Sequence, residues 1–218
     1  PLLETAPGYA ITAPTPGTGK TLLARCIQVL SGDRRPAVTP GGSGDDEEIR
    51  QKLFAFLRDG SRTILFDNIN GAFSSDAICA ALTFDFFKDR VLGVSDSMTV
   101  STASTLILTG NNLTVAGDLC RRILTCRVDA KDEKPHQRQF LFDPAQYVTK
   151  HRAAMLCAAL TLLRAGLQSN HKLTNGTGSF TGWNDCIRRT VCWIGAKGFL
   201  NVKDRKSTRL NSSHVSQS

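Results

Sequence analysis

Residues 14–21 (PTPGTGKT) carry the residue types that bind phosphate groups. Gly17 and Gly19 let consecutive backbone N–H groups turn toward an anion, and the N-terminus of a following helix adds a favourable dipole. In a loop of this type, Lys20 reaches the β- and γ-phosphates of a nucleotide, and the hydroxyl of Thr21 ligates Mg²⁺. The pattern therefore predicts a site for ATP and Mg²⁺. Its expected binding residues are Pro16, Gly17, Thr18, Gly19, Lys20 and Thr21.

Pro14 departs from the usual form of such a loop, G-x-x-x-x-G-K-[ST], which begins with glycine. Proline fixes the backbone angle φ and has no N–H to donate, so we expect a rigid entrance to the loop. An ordinary glycine-rich turn before a helix is the other interpretation of residues 14–21.

Asp67 follows the apolar run TILF (63–66), which has the pattern of a central parallel strand. A carboxylate at the end of a buried strand is costly unless it has a partner. We therefore expect Asp67 to hold Mg²⁺, directly or through water, beside Thr21. The other interpretation is an aspartate that caps the next turn.

Asn68 stands directly after Asp67, where an acid would be able to activate water. An amide can orient a water molecule but cannot take its proton. Two expectations stay open. Either the base is another acid, with Glu47, Glu48 and Asp76 as candidates, or hydrolysis is slow.

The segment TLILTGNN (105–112) ends a further apolar strand with two amides. An amide at this place can position the attacking water against the γ-phosphate. Asn111 is the first candidate for this amide and Asn112 is the second. An asparagine-rich turn without a catalytic role is the other interpretation.

Arg121 and Arg122 stand side by side before the strand predicted at 124–129. A guanidinium that reaches the γ-phosphate of a neighbouring subunit stabilises charge in the transition state. That role requires an oligomer, since neither arginine is expected to reach its own site. A solvated basic helix end is the other interpretation.

The elements that must position these residues alternate along the chain. Apolar runs predict strands at 9–13, 63–69 and 124–129, with three short strands within 89–110. Helical periodicity and end signals predict helices at 19–30, 45–60, 75–82, 116–123, about 147–168 and 182–195. This alternation predicts an α/β domain with a mainly parallel sheet and helices on both faces. The helix at 147–168 is apolar nearly all round, so we expect it to be buried between layers.

Four regions are expected from shifts in composition. They are a nucleotide-binding core (1–130), a linker (131–146), a helical C-terminal lid (147–202) and a non-native or disordered tail (203–218). The tail is polar and rich in serine, and it resembles translated adapter sequence at the ends of metagenomic reading frames. We expect it to lie outside the fold.

Composition restricts the class of protein further. The chain of 218 residues is 41% hydrophobic and 21% charged, which excludes a disordered polyelectrolyte. No apolar run approaches the roughly 18 residues of a membrane span, so a cytoplasmic protein without a membrane partner is expected. Seven cysteines form no CxxC pair, and four histidines lack metal-ligand spacing, which argues against zinc. The net charge is +8, of which the predicted tail supplies +3. A mildly basic body of about +5 suits a polyanionic partner.

Taken together, PTPGTGKT, TILFDNI, TLILTGNN and DLCRR occur in the order and spacing of an AAA+ ATPase. The short distance from Lys20 to Asn111 is also similar to superfamily III helicases. More closely, DNI, DRVLG, TGNN, GDLCRR and GSFTGWNDCIRRTVCWIG resemble the helicase-like C-terminal part of phage and integrative-element primase proteins. The resemblance spans roughly residues 8–198.

The resemblance implies a three-layer αβα P-loop NTPase of AAA+ type, with a small C-terminal helical subdomain. It implies a DNA-dependent ATPase, a helicase of DNA replication that assembles into a homo-oligomeric ring, expected to be a hexamer. Single-stranded or forked DNA is the implied partner, and a primase module upstream is a further one.

The family's functional residues carry over by position. Lys20 and Thr21 bind the nucleotide, Asp67 binds Mg²⁺, Asn111 senses the γ-phosphate, and Arg122 with Arg121 acts in trans. Arg188, within the W-x(4)-R-x(4)-W pattern of Trp183 and Trp193, is expected to contact nucleotide from the C-terminal helices. An amphipathic core helix is the other interpretation of that pattern.

DNA contact in ring translocases usually comes from a hairpin that lines the pore and carries Lys or Arg at its tip. The segment between Leu92 and Thr105 is the hairpin candidate, yet it contains no basic residue. Lys88 and Arg90 are the nearest cations, and plain surface charge is their other interpretation.

A nucleotide-binding switch or loader with little hydrolysis is the main alternative function. Asn68, Pro14 and the hairpin without cations favour it, whereas Asn111 and the arginine pair favour hydrolysis. A purely structural scaffold would leave Lys20, Thr21 and Asp67 unexplained.

Overall fold

The computed structural model describes Leu3 and residues 5–33, 38–41, 45–91, 93, 96–130, 141–173 and 180–196. The predicted tail (203–218) and residues 131–140 of the predicted linker lie outside the described residues.

In the described part of the chain, seven strands form two sheets. The strands are β1 (Gly8–Ala13), β2 (Val38–Pro40), β3 (Thr63–Phe73), β4 (Phe86–Arg90), β5 (Ser97–Ser101), β6 (Thr105–Val115) and β7 (Ile123–Arg127). Five of them form a parallel sheet in the order β2-β3-β6-β1-β7, and β4 and β5 form a separate antiparallel hairpin. The predicted α/β class with a mainly parallel sheet is confirmed.

The helices lie between and after the strands. They are α1 (Lys20–Ser31), α2 (Asp46–Arg58), α3 (Asp76–Ala81), a 3₁₀ turn (Gly117–Arg121), α4 (Pro144–Gln168), α5 (Thr181–Trp183) and α6 (Arg189–Trp193). A π-helical turn, Asn184–Arg188, joins α5 to α6. The helix ends follow ordinary signals. Asp45 caps α2 through the N–H of Glu47, and Gly32 ends α1 with a positive φ.

Two apolar clusters place the sheet between helical layers. On one face, Ile11 and Ile107 pack with Ala24 of α1. On the other face, Ile64 and Phe66 pack with residues of α2 and α3, among them Leu53 and Ile78. This arrangement is consistent with a three-layer αβα fold, and the continuous burial of residues 63–66 is what a central parallel strand requires.

Several element boundaries differ from the prediction. The short edge strand β2 lies within the segment expected to be a loop (31–44), because backbone pairing with β3 compensates for its weak apolar pattern. The helix expected at 116–123 is a 3₁₀ turn, and the one expected at 182–195 contains the π-helical turn. The first strand expected within 89–110 is β4, which begins and ends earlier, at Phe86 and Arg90.

The expected burial of α4 between layers is wrong. Only Val148 and Gly166 of this helix are buried, and Leu160 is 56% exposed. The helix packs along α1, where the Arg152 guanidinium donates to the carbonyls of Val29 and Leu30. An apolar pattern indicates which surface a helix is able to bury, but it does not indicate which element covers that surface.

In the described part of the chain, no helix has both the length and the apolar content that a membrane span requires.

Candidate functional site

Three neighbouring strands bring the predicted residues together at the level where β1 ends, and β3 and β6 continue beyond it to Phe73 and Val115. In β1, Ala13 pairs with Asn111 of β6, and Asp67 lies in β3 on the other side of β6. The glycine loop (residues 14–19) follows β1 directly and leads into α1. Because β1 lies between β6 and β7, which come late in the chain, this loop opens at a break in strand order. Parallel sheets bind ligands at such breaks.

Lys20, the first residue of α1, is buried, with only 8% of its surface exposed. Its ammonium group donates to Asn111 Oδ1 at 2.8 Å, to Thr18 Oγ1 at 3.1 Å and to the Thr15 carbonyl at 3.3 Å. Burial lowers the pKa of Lys20, and the charge of Asp67 opposes that shift. The structure thus holds a lysine over the glycine loop and against β6.

Thr21 and Asp67 form the second contact of the site. The hydroxyl of Thr21 donates to Asp67 Oδ1 at 2.8 Å. Thr109 Oγ1 also donates to Asp67 Oδ1. Among the described residues, no hydrogen bond is made to Asp67 Oδ2. A carboxylate and a hydroxyl at this separation are the hard oxygen donors that Mg²⁺ prefers, so the residues fit the implied metal.

The glycine loop has room for an anion. Gly17 and Gly19 have φ values of 74° and 90°, a left-handed conformation in which glycine is the favoured residue. A side chain at Gly19 would meet no atom within 4 Å. The backbone at the N-terminus of α1 is therefore accessible at the place where the sequence predicts phosphate oxygens.

The two neighbouring asparagines within β6 have different contacts. Asn111 contacts Lys20, whereas Asn112 Nδ2 lies 3.4 Å from the Pro14 carbonyl. Asn112 also has a positive φ of 49° and is exposed. The geometry thus connects Asn111, and not Asn112, with the lysine of the site.

Arg121 and Arg122 lie at the opposite edge of the sheet. The amide of Gly8, the first residue of β1, donates to the Arg122 carbonyl at 2.9 Å. The six residues of β1 separate this position from the glycine loop, which at about 3.3 Å per residue is about 20 Å. Neither arginine contacts Lys20 or Asp67, as expected for residues that do not serve their own site.

Both arginines are held by one acid. Arg121 and Arg122 form ion pairs with Asp118 at 2.8 and 2.6 Å, and these hydrogen bonds lower the pKa of Asp118, that from Arg121 most. The Arg122 side chain is only 13% exposed and also donates to Thr83. The Arg121 side chain is 61% exposed and is thus the more accessible of the two.

Among the described residues, Arg188 makes no hydrogen bond to the phosphate loop. It lies in the π-helical turn with 6% exposure, and its Nε and Nη1 have no hydrogen-bond partner among the described residues. Nearby, Trp183 hydrogen-bonds to Tyr9, the second residue of β1. This helical segment therefore docks near the edge of the sheet that carries Arg122.

The three acids considered as bases are also placed. Glu47 is paired with Arg50, which lowers the pKa of Glu47 and weakens it as a base. Glu48 is paired with Lys52, and Asp76 lies in the first turn of α3. Within the described chain, none of these three acids hydrogen-bonds to Lys20 or Asp67.

Thr109 and Gly110 are site residues that the sequence analysis missed. Between the pairs Phe66–Leu108 and Ile69–Gly110, β3 carries one residue more than β6, which is a β-bulge. A side chain at Gly110 would lie 2.0 Å from the Ile69 carbonyl oxygen, so only glycine lets the strands approach. The sequence does hold a signal for these two residues, because a threonine and a glycine are unusual within an otherwise apolar run (105–110).

The hairpin predicted between Leu92 and Thr105 is shifted toward the N-terminus. Strand β4 pairs with β5, so the expected cations lie on the hairpin itself. Alternate residues of β4 share one exposed face: Phe86, Lys88 and Arg90. Asp89, on the other face, is buried and pairs with Arg50 of α2, which attaches the hairpin to the core.

Comparisons with known proteins identify no family. No protein-family model matches the chain, and no curated protein matches it. Among solved structures it is similar to one described as "The A form apo structure of NrS-1 C terminal region-CTR". The TM-score is 0.47 at 12% sequence identity, over 66% of this chain and 34% of that chain. The chain thus spans about a third of the length of that protein.

Proposed function

We propose that this chain is the ATP-binding and hydrolysing motor domain of a replicative DNA helicase or primase-helicase from a phage or mobile element, with an AAA+ type of P-loop NTPase fold. One observation carries the proposal. Beside the carboxyl end of β1, Lys20 contacts Asn111 while Thr21 contacts Asp67. These four residues come from α1, β3 and β6, and together they supply a cation, a metal-binding pair and an amide.

Each residue has a distinct part in phosphoryl transfer. The glycine loop and Lys20 bind the β- and γ-phosphates, and Lys20 neutralises charge on the transferred group. Thr21 and Asp67 would hold Mg²⁺, which would supply positive charge to stabilise the transferred phosphoryl group. Asn111 orients the attacking water once the phosphate has taken over the ammonium group of Lys20.

Hydrolysis in this proposal is completed by a second subunit. Arg121 and Arg122 lie about 20 Å from their own glycine loop, by the strand rise of about 3.3 Å per residue. In a ring, such an arginine is able to face the γ-phosphate of the next subunit. Asp118 orients the pair, so that the exposed Arg121 makes the contact and the half-buried Arg122 supports it.

The outer face of the β4–β5 hairpin is the proposed contact for single-stranded DNA. Lys88 and Arg90 offer charges to phosphates, and Phe86, which is 67% exposed, offers a ring on which a base stacks. Phe84, just before β4, is 62% exposed and extends the aromatic surface. A hairpin with this face makes up for the absence of basic residues in the segment 92–105.

A nucleotide-binding switch or loader with little hydrolysis is the second candidate. It is favoured by Asn68, which occupies the position after Asp67 with a φ of 60° and an exposed amide. Because an amide cannot accept the proton of water, this site lacks an acid at that place. ATP would then act by stabilising one conformation of the chain.

The test is ATP binding and steady-state hydrolysis by the full chain, with and without single-stranded DNA. Lys20→Ala removes the cation of the site, and Lys150→Ala, at an exposed position on α4, is the matched control. Turnover that DNA stimulates and that only Lys20→Ala abolishes supports the motor. Tight binding without turnover supports the switch. Equal ATP affinity of the wild type and Lys20→Ala contradicts both.

A further inference from the structure

Thr109 occupies the bulge between β3 and β6 and is 1% exposed. Its hydroxyl donates to Asp67 Oδ1. The same oxygen lies 3.4 Å from the backbone N of Asn68 and accepts from it. One buried hydroxyl therefore joins the carboxylate of the site to the residue that makes the bulge.

The direction of these hydrogen bonds is determined by the groups involved. A backbone N–H only donates, so the Thr109 oxygen must accept from Asn68, and its single proton is left for the carboxylate. Thr21 donates to the same oxygen, Asp67 Oδ1. With two donors on Oδ1, the carboxylate has a defined orientation, and its second oxygen is left for another ligand.

The bulge explains why such a support is needed. The extra residue of β3 interrupts the ladder, and Asn68 adopts a positive φ of 60°. Without Thr109, the N–H of Asn68 would lose its partner, and the carboxylate of Asp67 would be free to rotate. Removal of a group that hydrogen-bonds to a metal ligand and orients it commonly changes metal affinity by about 10- to 100-fold.

We propose that Thr109 is a positioning residue that orients the Asp67 carboxylate for the divalent cation that accompanies the nucleotide. The proposal rests on the proposed function, since it concerns the same site. It adds that cation binding depends on a side chain that touches neither nucleotide nor metal. Thr109 acts through Asp67 and through the Asn68 turn.

The experiment is titration of the full chain with a fluorescent ATP analogue, in Mg²⁺ and in EDTA. Thr109→Val removes the hydroxyl at nearly constant volume, and Thr109→Ser retains it. The Mg²⁺-dependent gain in affinity is expected to fall about 10- to 100-fold in Thr109→Val. Affinity in EDTA should stay within about twofold, and Thr109→Ser should restore the Mg²⁺ effect. In an Asp67→Asn background, Thr109→Val should have no further effect on it.

The outcomes separate the two proposals. A wild type that binds no ATP analogue overturns the proposed function, and this inference with it. A wild type with a Mg²⁺ effect that Thr109→Val retains overturns this inference alone. If Thr109→Val does not fold, Thr109→Ala takes its place, and a normal Mg²⁺ effect in that variant likewise overturns the inference. Loss of affinity in EDTA as well as in Mg²⁺ would indicate a structural role only, and would also overturn it.

Discussion

Nζ of Lys20 lies 2.8 Å from Oδ1 of Asn111, although the two residues are 91 positions apart in the chain. The contact crosses from the N-terminus of α1 to the interior of β6. A phosphate bound to Lys20 would compete with this hydrogen bond and free the amide. Asn111 would therefore respond directly to a phosphate at the glycine loop.

Asn111→Ala should separate binding from hydrolysis. The variant loses the amide that orients water but keeps the glycine loop, so ATP affinity should change less than about fivefold while turnover falls about 100-fold. The measurement is kcat and ATP affinity of the same preparation. Asn112→Ala is the matched control, and a loss of turnover in the control that equals the loss in Asn111→Ala would contradict the assignment.

The pH dependence of ATP binding should reflect Lys20. Burial lowers the pKa of this ammonium group, and only its charged form attracts phosphate. Affinity should therefore fall as pH rises through the lowered pKa, at a lower pH than an ordinary lysine would give. Titrations from neutral pH to about pH 10 would show it. In Lys20→Arg the cation stays charged, so an unchanged alkaline loss would contradict this cause.

Arg121→Ala and Arg122→Ala subunits should act on their neighbours. When either variant is mixed with wild-type chains, ATPase activity should fall further than simple dilution predicts, because in the proposed ring each subunit would complete the site of another. Arg164→Ala, at an exposed position on α4, is the control and should give a linear loss or none. A linear loss with Arg121→Ala as well would count against action in trans.

Lys88→Ala should weaken single-stranded DNA binding through charge. Each phosphate contact contributes about 0.7 to the slope of log affinity against log salt concentration for single strands. The variant should reduce the slope by about that amount, while Phe86→Ala should lower affinity and leave the slope unchanged. Fluorescence anisotropy over a salt series measures both effects. An unchanged slope in Lys88→Ala, equal to that of Lys150→Ala, would remove the hairpin from the DNA contact.

Gly110→Ala should destabilise the fold at the site. The added methyl group would lie 2.0 Å from the Ile69 carbonyl oxygen, so the strands must separate at the bulge. Overpacking of this kind commonly costs about 1–3 kcal/mol in the free energy of unfolding. Gly182→Ala, whose methyl group would meet Leu3 at an ordinary 3.7 Å, should be nearly neutral. Urea denaturation compares them, and equal midpoints would refute the close approach.

The predicted site residues are close in space because β1, β3 and β6 are parallel neighbours. The runs 63–66 and 105–110 are apolar enough to be recognised as buried strands, and Asp67 and Asn111 are polar residues directly after them. The sequence predicted that these strands end there, whereas both continue, to Phe73 and Val115. The two side chains still lie at the level where β1 ends, beside the glycine loop that predicted Lys20.

Local pattern alone was not enough for Arg188 or for α4. Arg188 was expected at the nucleotide, but its helical segment docks on Tyr9 at the far end of β1. Helix α4 was expected in the interior, yet only two of its residues are buried. Both outcomes depend on how one element packs against another. The spacing of residues within a single element does not predict that packing.

By itself, the sequence determined most of the elements, the mainly parallel sheet and the polar residues that follow its buried runs, because hydrophobic period and glycine placement act over short stretches of chain. Only the tertiary structure decided that Lys20 contacts Asn111 rather than Asn112, that Thr109 holds Asp67, and that the arginine pair lies at the opposite edge. Those relationships depend on strand order and on the β3–β6 register. Both are set by long-range pairing across the sheet.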